Sequence, residues 1–428
     1  MAGMLDGLRV FDLSIVTAGA AATQVLADFG ADVIKIEAPR RPDLFRGWTV
    51  ARPGAHGDLY SPPFRTVNRG KRALAVDLKT PEGLDVAKKL LRECDVVVEN
   101  FRQGVLDRLG LGFHELVAIR PDIVLVSISS QGTTGPNARY GSFGSTLDAL
   151  GGQMSITGYD EQTPLWSSNK VNYPDQVVGF LGPALVLTGV LAARASGRPQ
   201  WIDVSQRELV TAMLPEHILC ASLGSPDPVP TANVGAEGLE WATRCAGDDE
   251  WAAVSLRTAE HRGHLAKALG EPDLVWCDDA AVMDAVGRWS SELTKQQVMA
   301  TLQAHAVPAA AVTKGFELHG DAFFDEIGFF KSVPLPAGGS ELQRGWIVRF
   351  QGEPDPATVD ARAPHVGEHT VDIMSSLLGY SDVEITRLLD AGAVGQYGHS
   401  AGPTNDDAAS EPANLTDQRG DCRRGPDR

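Results

Sequence analysis

The feature that most narrows the fold of this chain is a repeated alternation of short, strongly apolar segments with stretches of helical character. Residues 8–13 (LRVFDL) predict a strand, a helix follows around Ala20–Phe29, and residues 31–37 (ADVIKIE) predict a second strand. The pattern recurs with ALAVDL at 73–78, a helix from Thr80-Pro81, DVVVEN at 95–100, a helix around Val105–Ile119 and DIVLVSIS at 122–129. Strands that are apolar at nearly every position are covered on both faces, which calls for a parallel sheet between helices. Thr80 suits a helix start because its hydroxyl accepts from a free backbone N–H, and Pro81 has no N–H to leave unsatisfied. A further strand running into a helix is expected at 200–214 (QWIDVSQRELVTAML). The fold class is therefore α/β.

At 428 residues the chain has room for two domains, or for one with an insertion. A Pro- and Gly-rich stretch near 222–237 marks a linker, after which WAAVSL at 251–256 and helices near 258–269 and 293–305 form a second unit. Another linker surrounds Pro334–Gly339, and residues 364–392 predict an amphipathic helical segment. Beyond Gly395 apolar periodicity disappears, as in a disordered tail. Residues Val177–Ala193 approach membrane-spanning length, but they contain Gly, Pro and Thr and lie between Asp175 and Arg194, so a buried helix is expected and no membrane span.

Net charge is −17, which opposes general nucleic-acid binding, because that affinity comes from cations neutralising phosphates. The five cysteines are odd in number and scattered without a CxxC pair, which points away from disulfides and towards a reducing, cytoplasmic setting. The N-terminus shows no basic segment followed by an apolar run and does not read as a secretory signal. No metal site is expected, since His261/His264 and His365/His369, the histidine pairs at helical spacing, lack a third ligand nearby.

Several familiar chemistries are missing. The turn after the first strand reads SIVTAGAAATQ, without the GxGxxG fingerprint of dinucleotide binding. The string Gly141-Ser142-Phe143-Gly144-Ser145 has the wrong spacing for a nucleophile elbow. Small residues from Ala18 to Ala21 suit either a ligand close to a helix start or tight helix-to-sheet packing. Between Arg40 and Arg72 eight basic residues face two acidic ones, which reads as a solvated basic surface or as a local positive field for a phosphorylated ligand. Asp175 stands just before the most apolar helix. There it serves as a helix cap, or as a carboxylate nucleophile kept from bulk water.

In order along the chain, several strings resemble the family III CoA-transferases, the group that includes formyl-CoA transferase, carnitine CoA-transferase and the α-methylacyl-CoA racemases. They are LADFGADVIKIE (26–37) with Asp43 and Arg46, NRGKRALAVDLKTPEG (68–83), VVVENFRQGVLDRLGLG (96–112), PDIVLVSISSQGTTGP (121–136), SGRPQWIDVSQRE (196–208) and PHVGEHTVDIMSSLLGYSDVEI (364–385). The likeness covers about residues 5–392. It implies a Rossmann-like large domain with a parallel sheet, built from residues 1–222 together with 335–395. A smaller α+β domain with linkers spans 223–334, 396–428 form a tail, and two chains make an interlocked homodimer.

The resemblance also implies an acyl-CoA donor and a carboxylic acid acceptor, with coenzyme A or acyl-CoA as substrate and no permanently bound cofactor. Asp175 matches the family's nucleophile, reacting through an aspartyl acyl anhydride and an aspartyl-CoA thioester. Coenzyme A is expected at Val16, Ala18, Ala38, Arg40, Val76, Lys79, Asn100, Phe101 and Arg108, with Thr17 and Gly19 at the substrate carbonyl or oxyanion. Three departures stand out. Thr17 replaces a glutamine of the formyl-CoA transferases, which argues against a formyl or oxalyl substrate. Phe143 stands about where the racemases carry a histidine, so two-sided proton exchange lacks a partner. Where formyl-CoA transferase has a run of glycines that closes over the intermediate, this chain reads TANVGAEGLEW (231–241), in which Gly235 and Gly238 serve either a reduced lid or only a linker. The alternatives are a racemase or epimerase and a catalytically inactive CoA-binding homologue; succinyl-CoA is the expected donor by family habit.

Overall fold

Why the first half reads as unbroken apolar strands is clear from its two packed faces. The computed structural model describes residues 3–48, 61–160, 163–166, 172–226, 229–231, 235, 238–335, 338–348, 350, 357 and 359–398. Six strands, β1 (Arg9–Asp12), β2 (Asp32–Glu37), β3 (Arg72–Val76), β4 (Val96–Glu99), β5 (Val124–Ser129) and β6 (Gln200–Ser205), lie in the order β3-β2-β1-β4-β5-β6, every neighbouring pair parallel. That is the strand order of doubly wound dinucleotide-binding sheets. The connecting helices are α1 (Ala18–Asp28), α2 (Pro62–Asn68), α3 (Pro81–Leu91), α4 (Val105–Arg108), α5 (Phe113–Ile119), α6 (Gly144–Gly151), α7 (Tyr173–Ser196) and α8 (Gln206–Ala212). On one face Phe11, Ile34, Leu74, Val97 and Leu125 pack with Leu90 of α3 and Leu116 of α5. On the other, Val10, Val33, Val96 and Val126 meet Leu26 of α1 and Val186 of α7. Alternate residues of each strand serve opposite cores, so both sets are mostly apolar.

Thr80 caps α3, its hydroxyl accepting from the Gly83 N–H at 3.1 Å. The helix expected at 105–119 is instead two, because the chain turns at Gly110 with φ of +71°, a conformation that glycine adopts without steric cost. The expected burial of α7 holds for only one of its faces. Val178, Gly182, Val186 and Val190 are enclosed, whereas Phe180 is 47% and Leu191 is 68% exposed. The buried stripe is built on glycine. A Cβ at Gly179 would lie 2.9 Å from the Ala21 Cβ, and one at Gly182 2.7 Å from the Ala22 Cβ, so α7 and α1 touch along their backbones.

The basic run between Arg40 and Arg72 does not form the open positive field that charge counting suggests. Arg46 makes a two-pronged pair with Glu37, Arg69 pairs with Asp28, Lys71 with Asp12, Arg72 with Asp32 and Arg65 with Glu341. Arg52 lies outside the described residues. Lys71 is fully enclosed, and burial lowers its ammonium to about 8 despite Asp12 beside it.

After α9 (Pro215–Ser222), strands β7 (Leu239–Arg244), β8 (Trp251–Leu256) and β9 (Ala309–Ala311) form an antiparallel sheet in the order β7-β8-β9. Helices α10 (Ala259–Leu269), α11 (Asp279–Ser290) and α12 (Lys295–Ala304) close a separate core around Trp241, Val254, Val282 and Val298. Then α13 (Ala322–Glu326) leads into the hairpin of β10 (Phe330–Pro334) and β11 (Ser340–Arg344), whose Gln343 side chain and Arg344 carbonyl both accept from Arg69. The segment expected to be helical over 364–392 is interrupted at Gly367 and Gly379, both with positive φ. It forms α14 (Thr370–Asp372), a π turn over Ile373–Leu377 and α15 (Asp382–Asp390). Strand β12 (Val394–Gly395) then adds to β3 as an antiparallel edge. Most of the tail expected over 396–428 lies outside the described residues.

Candidate active site

The strand order reverses between β1 and β4, and in open parallel sheets the crevice beyond the strand ends at such a point is where ligands bind. Here the two loops are tied together by one side chain. Asn100, just past β4, accepts from the Ile15 N–H at 2.8 Å and donates to the Ile15 carbonyl at 2.8 Å. The next residue, Val16, has φ of +61°, a costly conformation for a β-branched side chain. It is held there by Asp43, whose two carboxylate oxygens accept from the Val16 N–H at 3.0 and 3.2 Å while Lys35 donates to Asp43 at 2.9 Å. Thr17 caps α1 by position without a side-chain bond, and Ala18 and Gly19 form its first turn. Gly19 is required for packing as well, since a Cβ there would lie 2.6 Å from the Ser14 Cβ.

A cleft of about 320 Å³ opens beside this turn, with Ile15, Ala38, Arg41, Val76, Lys79 and Phe101 in its wall. Four of the residues expected at coenzyme A are thus brought together: Ala38, Val76, Lys79 and Phe101. Asn100 acts from behind the wall, through Ile15. Val16 and Ala18 continue the turn beyond it. Arg40 lies against Gly392, and Arg108 against Gly104; neither lines the cleft, although their neighbours Arg41 and Leu109 do. Arg41 belongs to the basic run, so its signal was present in the sequence without a means of choosing it over Arg40.

Asp175 sits on the far side of the turn. It is the third residue of α7, and Asn172 occupies the cap position, so capping is not its task. Since Gly179 rests on Ala21 and Gly182 on Ala22, Asp175 lies towards the N-terminal end of α1, where Thr17 and Ala18 are. Its side chain is nearly enclosed, with 9% exposure. Gln206, the first residue of α8, donates from Nε2 to Oδ1 at 2.8 Å, and the Asn172 side chain makes a second hydrogen bond to the carboxyl. Burial raises the carboxyl above the usual Asp range; the Gln206 and Asn172 bonds oppose this, and the charge of Asp148 on α6 adds to it. A carboxylate stripped of water and held by neutral donors is a stronger nucleophile than a solvated one. Gln206 and Asn172 are neighbours of Asp175 that sequence reasoning missed.

Phe143 occupies the cap position before α6 and is exposed, and Gly144 after it leaves no room for a Cβ beside Asn172. The histidines at helical spacing have structural tasks: His261 and His369 each accept a backbone N–H through Nδ1, and His365 stacks on Tyr397. Of the segment read as either a reduced lid or a linker, residues 232–234 and 236–237 lie outside the described residues, and Gly238 is a positive-φ turn before β7.

The family model described as CoA-transferase family III matches residues 5–370. The chain is similar to succinyl-CoA–D-citramalate CoA-transferase of Chloroflexus aurantiacus, at 29% identity over 399 residues, covering 90% of this chain and 96% of that protein. It is also similar to formyl-CoA:oxalate CoA-transferase of Streptomyces avermitilis, at 28% identity over 421 residues, covering 92% of this chain and 100% of that protein. Among solved structures, a CAIB/BAIF family protein from Brucella suis superposes with a TM-score of 0.78 at 26% identity, covering 88% of this chain and 100% of that one.

Proposed function

The chain belongs to CoA-transferase family III and is a CoA-transferase, and on that premise we propose that it moves coenzyme A from an acyl-CoA donor to a carboxylic acid through covalent intermediates on Asp175. The observation that carries this reading is the way Asp175 is held. Its buried neighbours in the fold, Asp12, Asp28, Asp43 and Glu37, are each paired with a lysine or arginine. Asp175 is nearly as buried, at 9% exposure, and like Glu99 at the end of β4 it has no cation beside it; among the described residues only amides bond to it. Such a group is poorly suited to stabilising the fold and well suited to reacting.

The Asp175 carboxylate attacks the thioester carbonyl, the C–S bond breaks, and CoA leaves as thiolate with a mixed anhydride on Asp175. The thiolate attacks the aspartyl carbonyl of that anhydride and expels the donor carboxylate, leaving an aspartyl-CoA thioester. The acceptor carboxylate repeats these steps in reverse, and Asp175 is regenerated. The nucleotide end of coenzyme A occupies the cleft at Ala38, Val76 and Phe101, with Lys79, Arg40 and Arg108 towards its phosphates. Its thiol reaches Asp175 past Val16 and Ala18, alongside Asn100. The first N–H groups of α1, at Thr17 and Gly19, face the substrate oxygen, since helix starts carry unsatisfied donors. Phe143 offers no proton acceptor in place of the racemase histidine, which supports transfer over racemisation.

The rest of the reading follows the family. The large domain comprises 1–222 with 335–395, the small one 223–334, and 396–428 form a tail. The chain is an interlocked homodimer, which the exposed apolar face of α7 supports. It works in the cytoplasm without a permanent cofactor, and its described cysteines, all unpaired, suit a reducing compartment.

Incubation with succinyl-CoA or acetyl-CoA and a panel of carboxylic acids, followed by hydroxylamine or borohydride, tests the mechanism. The expected result is a mass change on the peptide that contains Asp175, and loss of transfer in Asp175→Ala. An Asp175→Ala protein that still transfers coenzyme A would sink the reading.

A further inference from the structure

Gln206 stands where a single peptide unit couples the sheet to the nucleophile. Ser205 ends β6 in register with Ser129 of β5 and caps α8, its Oγ accepting from the Glu208 N–H at 3.2 Å. With strand on one side and capped helix on the other, the backbone of Gln206 has little freedom. Its side chain is buried, with 6% exposure, and Asp175 Oδ1 is the partner of its carboxamide N–H. A buried amide left without a partner costs about 1–3 kcal/mol, so this bond fixes both side chains at once.

We propose that Gln206 decides which oxygen of Asp175 reacts, and that it holds the other oxygen through the step in which CoA becomes attached to the enzyme. This rests on the reading of Asp175 as nucleophile. With Oδ1 held by Gln206, Oδ2 attacks the acyl-CoA and becomes the bridging atom of the anhydride, the Asn172 side chain being the carboxyl's other partner. Oδ1 is then the carbonyl oxygen on the aspartyl side. When the thiolate adds to that carbonyl carbon, the C=O π pair moves onto Oδ1, and the Gln206 N–H already points at the developing charge. Collapse returns the pair to the C=O bond and expels the donor carboxylate with the bridging oxygen. A donor fixed before the charge develops needs no reorganisation, which is the condition for effective oxyanion stabilisation. The same bond directs the thiolate to the aspartyl carbonyl instead of back to the acyl carbonyl, where attack only regenerates the starting acyl-CoA.

The full-length protein with Gln206→Met, which keeps the side-chain length and removes the donor, separates the steps. Wild type, Gln206→Met and Asp175→Asn are each mixed with acyl-CoA without acceptor and read for the first release of CoA. They are then read at steady state for kcat and for the KM of acyl-CoA, with hydroxylamine trapping of the enzyme-bound acyl group. For Gln206→Met the expected result is a first release of CoA within about tenfold of wild type, an acyl group accumulating on Asp175, KM nearly unchanged, and kcat lower by about 10²–10³-fold, the loss typical of one oxyanion donor. A merely structural role would change KM and the first release together with kcat. Should Gln206→Met fold poorly, Gln206→Leu also removes the donor with a side chain of similar volume, and the same accumulation with low kcat is expected. Unchanged kcat in either folded variant, with Asp175→Asn inactive, overturns the role of Gln206 and leaves the mechanism standing. Transfer by Asp175→Asn overturns both.

Discussion

Among the buried carboxylates, Asp175 and Asp12 show opposite solutions to the same problem. Asp12 suffers full burial, but Lys71 and Lys35 outweigh that penalty and lower its carboxyl below the usual range. Asp175 suffers burial with no cation to offset it and is raised. A carboxyl raised in the folded state binds its proton more tightly there than in the unfolded chain, so its contribution to stability falls as pH rises through the interval between the two values. Asp175→Asn removes that penalty. It is expected to abolish transfer and to stabilise the fold by about 1 kcal/mol at pH 7, as is common when active-site strain is relieved. Calorimetry at pH 7 and near pH 3, below the ordinary Asp value of about 3.9, checks the sign, because the gain should vanish once both states are protonated. Asp175 was legible in the sequence from its place before an apolar helix, with family resemblance choosing the nucleophile over the cap. Gln206 was not. It lies 31 residues away, and no local pattern shows that the end of β6 returns to the start of α7.

At the scale of elements, the seam between α1 and α7 carries Asp175 into position. Glycines at 179 and 182 face Ala21 and Ala22, and in a sequence they read only as helix-weakening residues. Gly182→Ala would place a Cβ 2.7 Å from the Ala22 Cβ, with no flexible atom to give way. The helices must separate, at a cost of about 1–3 kcal/mol. Urea unfolding should show that loss, and kcat should fall with it because Asp175 stands about two turns away on the same helix. The core strands of the first half were legible, since burial on two faces leaves a continuous apolar run. The short strands β9, β10 and β11 were not, because each is partly open to solvent and carries no such run. The break between α4 and α5 depends on Gly110 adopting a left-handed turn, and helical periodicity alone passes over it.

For the whole molecule, the unpartnered face of α7 is the main unfinished business of a single chain. Leu181 and Leu191 are exposed along it, and Phe180 has, among the described residues, only the Arg344 guanidinium over its ring. If two chains interlock, light scattering should give twice the chain mass, and the mass should not fall on dilution, because separation would require unfolding. Leu191→Glu should lower yield or melting temperature more than a surface change does, which is usually within about 0.5 kcal/mol. A monomer of native activity would refute the dimer. What the sequence by itself determined was the parallel sheet, its covering helices and the place of Asp175 at the start of an apolar helix, because hydrophobic periodicity and helix starts are local properties. Which charges were spent inside the fold, which residues line the cleft and which amide holds Asp175 were decided only by the tertiary structure. Ion pairs such as Arg69 with Asp28 and hydrogen bonds such as Gln206 with Asp175 join positions far apart in the chain, and their partners are chosen by packing, not by spacing.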